Sequence, residues 1–433
     1  MAVIREITLK NYKCHEGYND FSLPGITIVS GTNNSGKSSL LQGIYLITQN
    51  RLYPYPSLAL NAELKLGSFQ DILNKSTLNE DTLEIGVVFE TASTEFEELN
   101  VNFIYKNPLT TEISLSIFED DPILSGIEIT YKFPERRPQN IDIELDDSKN
   151  IIYKVTSEQD NGFCKINGLI PEPIIYDKSL SQRKICSSEF ELIRDHLKSL
   201  NKENIKYLRA FRLEDSKEKN YSNIDDIGLA GEYTAEIIHS KWDKVISFVE
   251  PGKGDERMTF GRAFDYWISK CLGKNYRIRS KLIDKAEYKI TVEDNELGTE
   301  LSLSQVGFGI SQLLPILTMI LASRKNSIIL IENPEVHLHP KLQADLVDLY
   351  LFALNNDRKI VIETHSEHII NRLRVRVKES PDILGKINLL FFEKEKGIVK
   401  TTTVELTKDG KLSHWPANFF DQSYFDLLGL IKE

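Results

Sequence analysis

Cysteine is scarce and scattered. Cys14, Cys164, Cys186 and Cys271 lie far apart with no C-x-x-C pair, which argues against zinc ligation and a disulfide framework and leaves reduced thiols as the expectation. Long apolar runs are also missing: none reaches the roughly 18 residues of a membrane-spanning helix, and Met1–Leu9 lacks a signal-peptide core. A cytoplasmic protein with no membrane partner is therefore expected. There is no excess of basic charge, since 53 Lys and Arg stand against 64 Asp and Glu for a net charge of −11. A chain that grips nucleic acid over its whole surface is usually basic, so any DNA or RNA contact must be a local patch or come from a partner. No heptad pattern is sustained, and there is no internal repeat or low-complexity tract. What remains is an ordinary globular balance, 41% apolar and 27% charged over 433 residues, long enough for roughly two to three domains or lobes.

Against this background one stretch carries a specific signal. Pro24–Thr48 reads PGITIVSGTNNSGKSSLLQGIYLIT. Gly25–Ser30 is an apolar, β-branched run suited to a buried strand. Gly31–Ser38 fits G-x-x-x-x-G-K-[ST], and Leu40, Leu41, Ile44 and Ile47 then recur at helical spacing. Strand, glycine-rich loop and helix, in that order, form the context of a phosphate-binding P-loop. Gly31 and Gly36 let the loop wrap so that the N–H groups of Asn33, Asn34, Ser35, Gly36, Lys37, Ser38 and Ser39 can converge on phosphate oxygens. The helix N-terminus adds its dipole, Lys37 can reach the β- and γ-phosphates, and the Ser38 hydroxyl can ligate Mg²⁺. ATP and Mg²⁺ are the expected ligands.

Around this loop the pattern divides. Ala2–Lys10 reads as an edge strand before a loop at Asn11–Asp20, and Pro54 and Pro56 mark a break. From Thr82 to Tyr176 the runs LEIGVVFE, LNVNFIYK, EISLSIFE, IEITYKF, IDIEL and IIYKV alternate with polar turns, as in an antiparallel meander. Helices are expected at Glu189–Asn201, Tyr233–Val249 and Arg262–Leu272, with a strand at Ile205–Arg212. Beyond Leu313 helices and buried strands alternate: Leu313–Ser323, Ser327–Ile331, Lys341–Leu354, Lys359–Ile362, Glu367–Val377, then strands near Ile387–Phe392 and Gly397–Leu406. That alternation implies a mostly parallel core sheet with crossover helices, an α/β architecture.

Three further segments bear on the loop. In IILIENPEVHLHP an apolar strand ends in Glu332, where a P-loop fold places its Mg²⁺-side carboxylate, on a strand expected next to the P-loop strand. The competing reading of Glu332 is a plain surface acid. In LSLSQVGFGISQLL, Ser304, Gly307, Gly309 and Ser311 precede a long apolar helix and could offer N–H groups to a phosphate, although an ordinary helix cap would look the same. In VIETHSEH, His365 follows a buried strand, as a γ-phosphate sensor would. His337, His339, His365 and His368 fit no H-E-x-x-H helix and no zinc ligand set.

P-loop, glycine-rich serine segment, strand-end acid and strand-end histidine, in that order, resemble the ABC-type ATPase head of the RecF, SMC and OLD-nuclease group. GTNNSGKSSLLQ, VGFGISQLLP, IENPEVHLHPK, ETHSEHIINRLR and WPANFFDQ resemble more closely a bacterial predicted-ATPase branch met in anti-phage defence operons of the Septu type. The resemblance spans roughly residues 1–75 and 300–425. It implies two protomers that sandwich two ATP molecules. Lys37 and Ser38 of one would face Ser304 with Gly307 or Gly309 of the other, with His365 as switch histidine and Gln70 as a Mg²⁺ contact. Together with the strand and helix pattern, this suggests a division into residues 1–80 (N-terminal part of the head), 81–180 (antiparallel β subdomain), 181–299 (helical lobe), 300–385 (C-terminal part of the head) and 386–433 (strand pair and aromatic tail).

One departure matters. ABC heads end the acid strand in Asp-Glu, whereas this chain has Glu332-Asn333. A glutamate can replace the aspartate toward Mg²⁺, but Asn333 cannot take a proton. Glu335 is the nearest alternative base, so hydrolysis is expected to be slow. Only about 65 residues follow His368, fewer than the metal-binding module that OLD-type nucleases append. The leading expectation is thus an ATP-binding and hydrolysing switch that forms a homodimer or higher homo-oligomer and controls a separate effector, such as a nuclease. A RecF-like DNA-repair clamp is the alternative, with Arg372, Arg374, Arg376 and Lys378, or Tyr276–Lys281, as local basic runs for a DNA contact. A membrane-transport ATPase subunit ranks last.

Overall fold

The computed structural model describes residues 3–50, 56–77, 81–90, 96–107, 121–147, 152–177, 183–212, 226–249, 256–284, 287–296, 298–395 and 398–414. The chain divides into two compact units, each assembled from two stretches: Met1–Leu23 with Ser38–Asn201, and Pro24–Lys37 with Lys202–Glu433. The P-loop sequence therefore runs from one unit into the other between Lys37 and Ser38.

The first unit is built on a ten-stranded antiparallel sheet. Thr82–Glu90, Glu98–Lys106, Ile123–Lys132, Gln139–Asp147 and Ile152–Ser157 follow one another as neighbours, a meander. Alternation drives it: Leu99, Val101, Phe103 and Tyr105 are buried while Asn100 and Asn102 between them are not. Val3–Tyr12 is not an edge strand. It lies between Thr82–Glu90 and His15–Ser22, and the expected loop supplies the edge strand instead. The sequence HEGYNDFS concealed that strand because its outward positions are polar and its turn rests on left-handed Asn11 and Lys13. The helix Lys37–Leu46 approaches this sheet closely at Gly43, where a Cβ would come within 2.9 Å of Leu9 and 3.3 Å of Tyr12. The expected strand EISLSIFE lies outside the described residues.

The second unit holds a six-stranded sheet in the order Ile205–Leu208, Ile328–Glu332, Lys359–Glu363, Ile26–Gly31, Ile387–Glu395, Ile398–Thr403. The first five run parallel and the last is antiparallel. Its central strands are buried on both faces, which is why they read as continuous β-branched runs. Helices Phe308–Ala322, Pro340–Leu354 and Glu367–Glu379 supply crossovers. His339 and Ser366 cap the last two by accepting from Lys341 and Ile369 N–H.

Two readings need correction here. Tyr233–Val249 is not one helix; it is Thr234–Lys241 followed by the strand Val245–Val249. The stretch 181–299 is also not purely helical, since Tyr276–Asp284 and Glu287–Asp294 pair with Thr299–Ser302 in a three-stranded sheet. Among the described residues no helix is long and apolar enough to cross a membrane.

The basic run on Glu367–Glu379 is engaged within the unit. Arg372 and Arg376 donate to Asp348 at 3.0 and 2.7 Å, Lys270 approaches the same carboxylate at 3.3 Å, and Arg374 donates to the Gly410 carbonyl. Burial alone would raise the Asp348 pKa, but the hydrogen bonds from Arg376 and Arg372 outweigh it and hold it at about 2. A depressed carboxylate pKa stabilises the fold above the unfolded value near 4 and loses that stabilisation as pH falls toward the folded value. Because the arginines remain partly exposed, the effect is about 1–2 kcal/mol. Asp348→Asn is therefore expected to lower the urea unfolding free energy by about that amount at pH 7, with the gap closing below about pH 4. Equal stabilities at pH 7 would show the cluster to be ornamental.

Candidate nucleotide site

The P-loop strand Ile26–Gly31 ends where side chains do not fit. Gly31 has φ +142°, and a Cβ there would stand 1.9 Å from the Phe392 carbonyl oxygen. Thr32 N–H donates to that oxygen at 3.0 Å, so the neighbouring strand fixes the loop's departure. The loop then folds on itself: the Ser35 hydroxyl and the Lys37 ammonium both donate to the Thr32 carbonyl, at 2.7 and 2.6 Å. Left-handed Asn34 (φ +58°) and Gly36 (φ +94°) make the wrap possible. Asn33 and Asn34 are exposed, whereas Lys37 is only 4% exposed. Burial lowers the Lys37 pKa and the Glu363 carboxylate opposes that shift. Ser38 and Ser39 follow in the first turn of the helix Lys37–Leu46.

The acid strand is not the P-loop strand's neighbour. Lys359–Glu363 lies between them, with Glu332 level with Glu363 and Glu363 level with Val29. The acid beside the P-loop strand is therefore Glu363, buried and electrostatically coupled to Lys37, which sequence reasoning missed. Glu332 is fixed from its other side by the segment after Ile205–Leu208. It accepts from the Tyr207 hydroxyl and from Ala210 N–H at 3.1 Å, while Arg212 donates to the Glu332 carbonyl at 2.6 Å. Burial, and then the Glu332 charge, push the Tyr207 phenol well above its ordinary pKa, so it remains a proton donor.

After Glu332 the chain turns through left-handed Asn333 (φ +40°), whose N–H donates to the Glu363 carbonyl at 2.8 Å. The turn delivers Glu335 to the end of the middle strand. Its carboxylate accepts from the Thr364 hydroxyl at 2.8 Å and from His365 N–H at 2.7 Å, with the Asn333 amide 3.5 Å away. Thr364 N–H donates to Val29 on the P-loop strand at 3.0 Å. Desolvation, reinforced by Lys37 and opposed by Glu335, lowers the His365 pKa, favouring a neutral imidazole near pH 7.

Lys37, Glu332, Glu335 and His365 thus stand at the carboxyl ends of adjacent parallel strands. The glycine-rich segment is seated elsewhere in the unit. Ser304 lies in the short turn Leu303–Gln305 and Gly307 caps the helix Phe308–Ala322. A Cβ at Gly307 would meet nothing, Phe308 is 59% exposed with its ring 5.3 Å from that of His337, and Gly309 approaches the His337 carbonyl. Gln70 is exposed on the helix Phe69–Ile72 of the first unit.

Removing the Glu335 carboxylate would leave Thr364 and His365 without their acceptor. Glu335→Ala is expected to cost about 1–3 kcal/mol in urea unfolding. A change below about 0.5 kcal/mol would reduce Glu335 to a surface acid.

The AAA ATPase domain family matches residues 3–370, and residues 385–430 match a family described as Protein of unknown function (DUF3696). No curated protein matches the chain. Among solved structures it is similar to the SMC head domain from Thermotoga maritima, at 12% identity and a TM-score of 0.41, covering 93% of this chain and 100% of that one. It is also similar to the Smc head domain with an extended coiled coil bound to the C-terminal domain of ScpA derived from Pyrococcus furiosus, at 13% identity and a TM-score of 0.47, with 100% of each chain covered. A third similarity is to the Smc head domain with a coiled coil and joint derived from Pyrococcus yayanosii, at 9% identity and a TM-score of 0.45, again with 100% of each chain covered. The fold is an α/β P-loop NTPase fold, with a mostly parallel core sheet in one unit and a large antiparallel sheet in the other. With a match over residues 3–370 of 433, the chain belongs to the AAA ATPase domain family.

Proposed function

We propose that this chain is an ATP-binding and ATP-hydrolysing switch that dimerises through its nucleotide sites and controls a separate effector. One observation carries the reading: a buried P-loop lysine shares the carboxyl ends of adjacent parallel strands with Glu332, Glu335 and His365. Open α/β sheets bind their ligands at such strand ends.

The donor set suits a nucleoside triphosphate. It comprises a buried ammonium, the amides of a loop wrapped through left-handed Asn34 and Gly36, and the N-terminal end of a helix with its dipole. Lys37 rests on the Thr32 carbonyl, a contact that phosphate oxygens would replace. Asn33, Asn34, Ser35, Gly36, Ser38 and Ser39 would supply further contacts. Ser38, the residue after Lys37, and Glu332 would hold Mg²⁺, which when bound neutralises charge on the β- and γ-phosphates. Tyr207 and Ala210 hold the Glu332 carboxylate in place through their hydrogen bonds. Glu335 is the carboxylate available to orient water in place of Asn333, and it also sets the His365 backbone. Because a base that doubles as a structural acceptor is less free to take a proton, turnover is expected to be slow.

The exposed Gly307–Phe308 turn supports completion of the site by a second copy. It offers helix N–H groups to solvent, with no side chain in the way at Gly307. The effector's identity as a nuclease and the anti-phage setting rest on the motif resemblance. Direct DNA binding is the less favoured reading. Arg372 and Arg376 are drawn onto Asp348, Arg279 onto Asp265 and Lys281 onto Glu300.

Lys37→Ala is expected to weaken binding of a fluorescent ATP analogue at least about tenfold; unchanged binding would end this reading. In sizing experiments Mg²⁺-ATP should shift the protein toward a dimer. Glu335→Gln should hold that dimer longer, and an elution volume indifferent to ATP in both proteins would count against the sandwich.

A further inference from the structure

Arg212 is the charged side chain nearest this site whose burial has no evident structural return. It is 3% exposed. Its guanidinium donates to the Glu332 carbonyl at 2.6 Å, reaches the Asn333 carbonyl at 3.4 Å, and stands 3.5 Å from the Gln312 side-chain oxygen. Its Nε has no hydrogen-bond partner among the described residues. Burial lowers its pKa to about 10, with the Tyr350, Glu335 and Glu332 groups pulling the other way, so it stays charged at neutral pH. A buried cation that meets mainly backbone carbonyls is costly compared with an apolar side chain of the same shape. A stability role alone explains it poorly.

Its three acceptors belong to two elements. Glu332 and Asn333 form the turn that carries the strand-end acid and leads to Glu335 and His365. Gln312 lies one turn into the helix Phe308–Ala322, whose first residues are Phe308 and Gly309 and whose cap is Gly307. From Ser311 to Leu321 that helix is buried at every position, and Pro315 inside it lacks the N–H that would bond back to the Ser311 carbonyl, so the turn that holds Gln312 can shift with the Gly307–Gly309 start while the rest of the helix stays packed. One contact is short and two sit at the outer limit of hydrogen bonding. A displacement of a few tenths of an ångström in either element would make or break the longer pair.

The geometry points to Arg212 as the positioning residue that couples occupancy of the P-loop site to the glycine-rich segment. Through it, the Glu332–Asn333 turn and the start of the helix Phe308–Ala322 take up position together. The inference rests on the ATP-switch reading above and adds to it the route by which a bound nucleotide prepares the surface offered to a second copy. The planar fork of arginine suits the task, because it addresses acceptors on two elements at once. Lysine would keep the charge but not the fork.

Arg212→Lys, Gln312→Ala and the double variant test this in the full chain, with Mg²⁺ and a slowly hydrolysed ATP analogue as ligand. The wild type should bind the analogue and gain amide-exchange protection across residues 307–312. Arg212→Lys should bind within about threefold of wild type, lose that protection and lower kcat about tenfold. Gln312→Ala should lose the protection as well, and the double variant should be no worse than Arg212→Lys, the non-additivity expected of one shared link. Wild-type binding without protection would overturn the coupling, as would protection retained in Arg212→Lys. Absence of binding in the wild type would instead overturn the ATP reading and the inference with it. Should Arg212→Lys fail to fold, Gln312→Ala decides alone: retained protection contradicts the proposal and lost protection supports it.

Discussion

Parallel pairing of Ile328–Glu332, Lys359–Glu363 and Ile26–Gly31 in a single register sets where Lys37, Glu332, Glu335 and His365 stand. Because Glu332, Glu363 and Val29 are level, the acid and histidine strands finish together and the P-loop strand runs only two residues further to Gly31, so that the loop, the acidic turn and the histidine turn leave from one edge. A slip of one residue would send Glu332 and Glu363 to opposite faces. The register is held from within by continuous Ile, Val and Leu packing on both faces, so the site is positioned by the part of the fold least able to move.

The turns beyond that edge are tied crosswise rather than individually. Asn333 is bonded to Glu363, Glu335 to His365, Thr364 to Val29, and Thr32 to Phe392. That arrangement suits a device whose task is to register a nucleotide and hold it. The asparagine at 333 fits the same description. It accepts a left-handed φ readily, and it offers no proton acceptor where fast hydrolysis would want one.

Sequence and structure agree best where periodicity is strong. The strand–loop–helix around Lys37, the buried strands at Ile328 and Lys359 and the helices that join them are legible because a parallel core must be apolar on both faces and its crossovers must be amphipathic. What escaped the sequence depends on pairing between distant segments. Glu363 carries no signal in the sequence, because the strand order that sets it beside the P-loop strand is a property of topology. Tyr207 and Arg212 lay inside a run recognised as strand-like and given no role, since their meaning comes from Glu332, more than a hundred residues on. The strand His15–Ser22 reads as part of a loop at Asn11–Asp20 because its outward residues are polar and its pairing comes from tertiary contacts.

The central claim is that the P-loop of one copy is completed by the glycine-rich segment of another. Mixing two inactive variants tests it directly. Lys37→Ala disables the loop and Gly309→Asp disables the opposing segment, so each homodimer should be dead, whereas a mixed dimer retains one intact composite site. Equimolar mixing should restore ATP turnover to about a quarter of the wild-type rate, since about half of the dimers are mixed and each carries one of two sites. Full activity in Gly309→Asp alone, or a mixture as inactive as its components, would contradict the account.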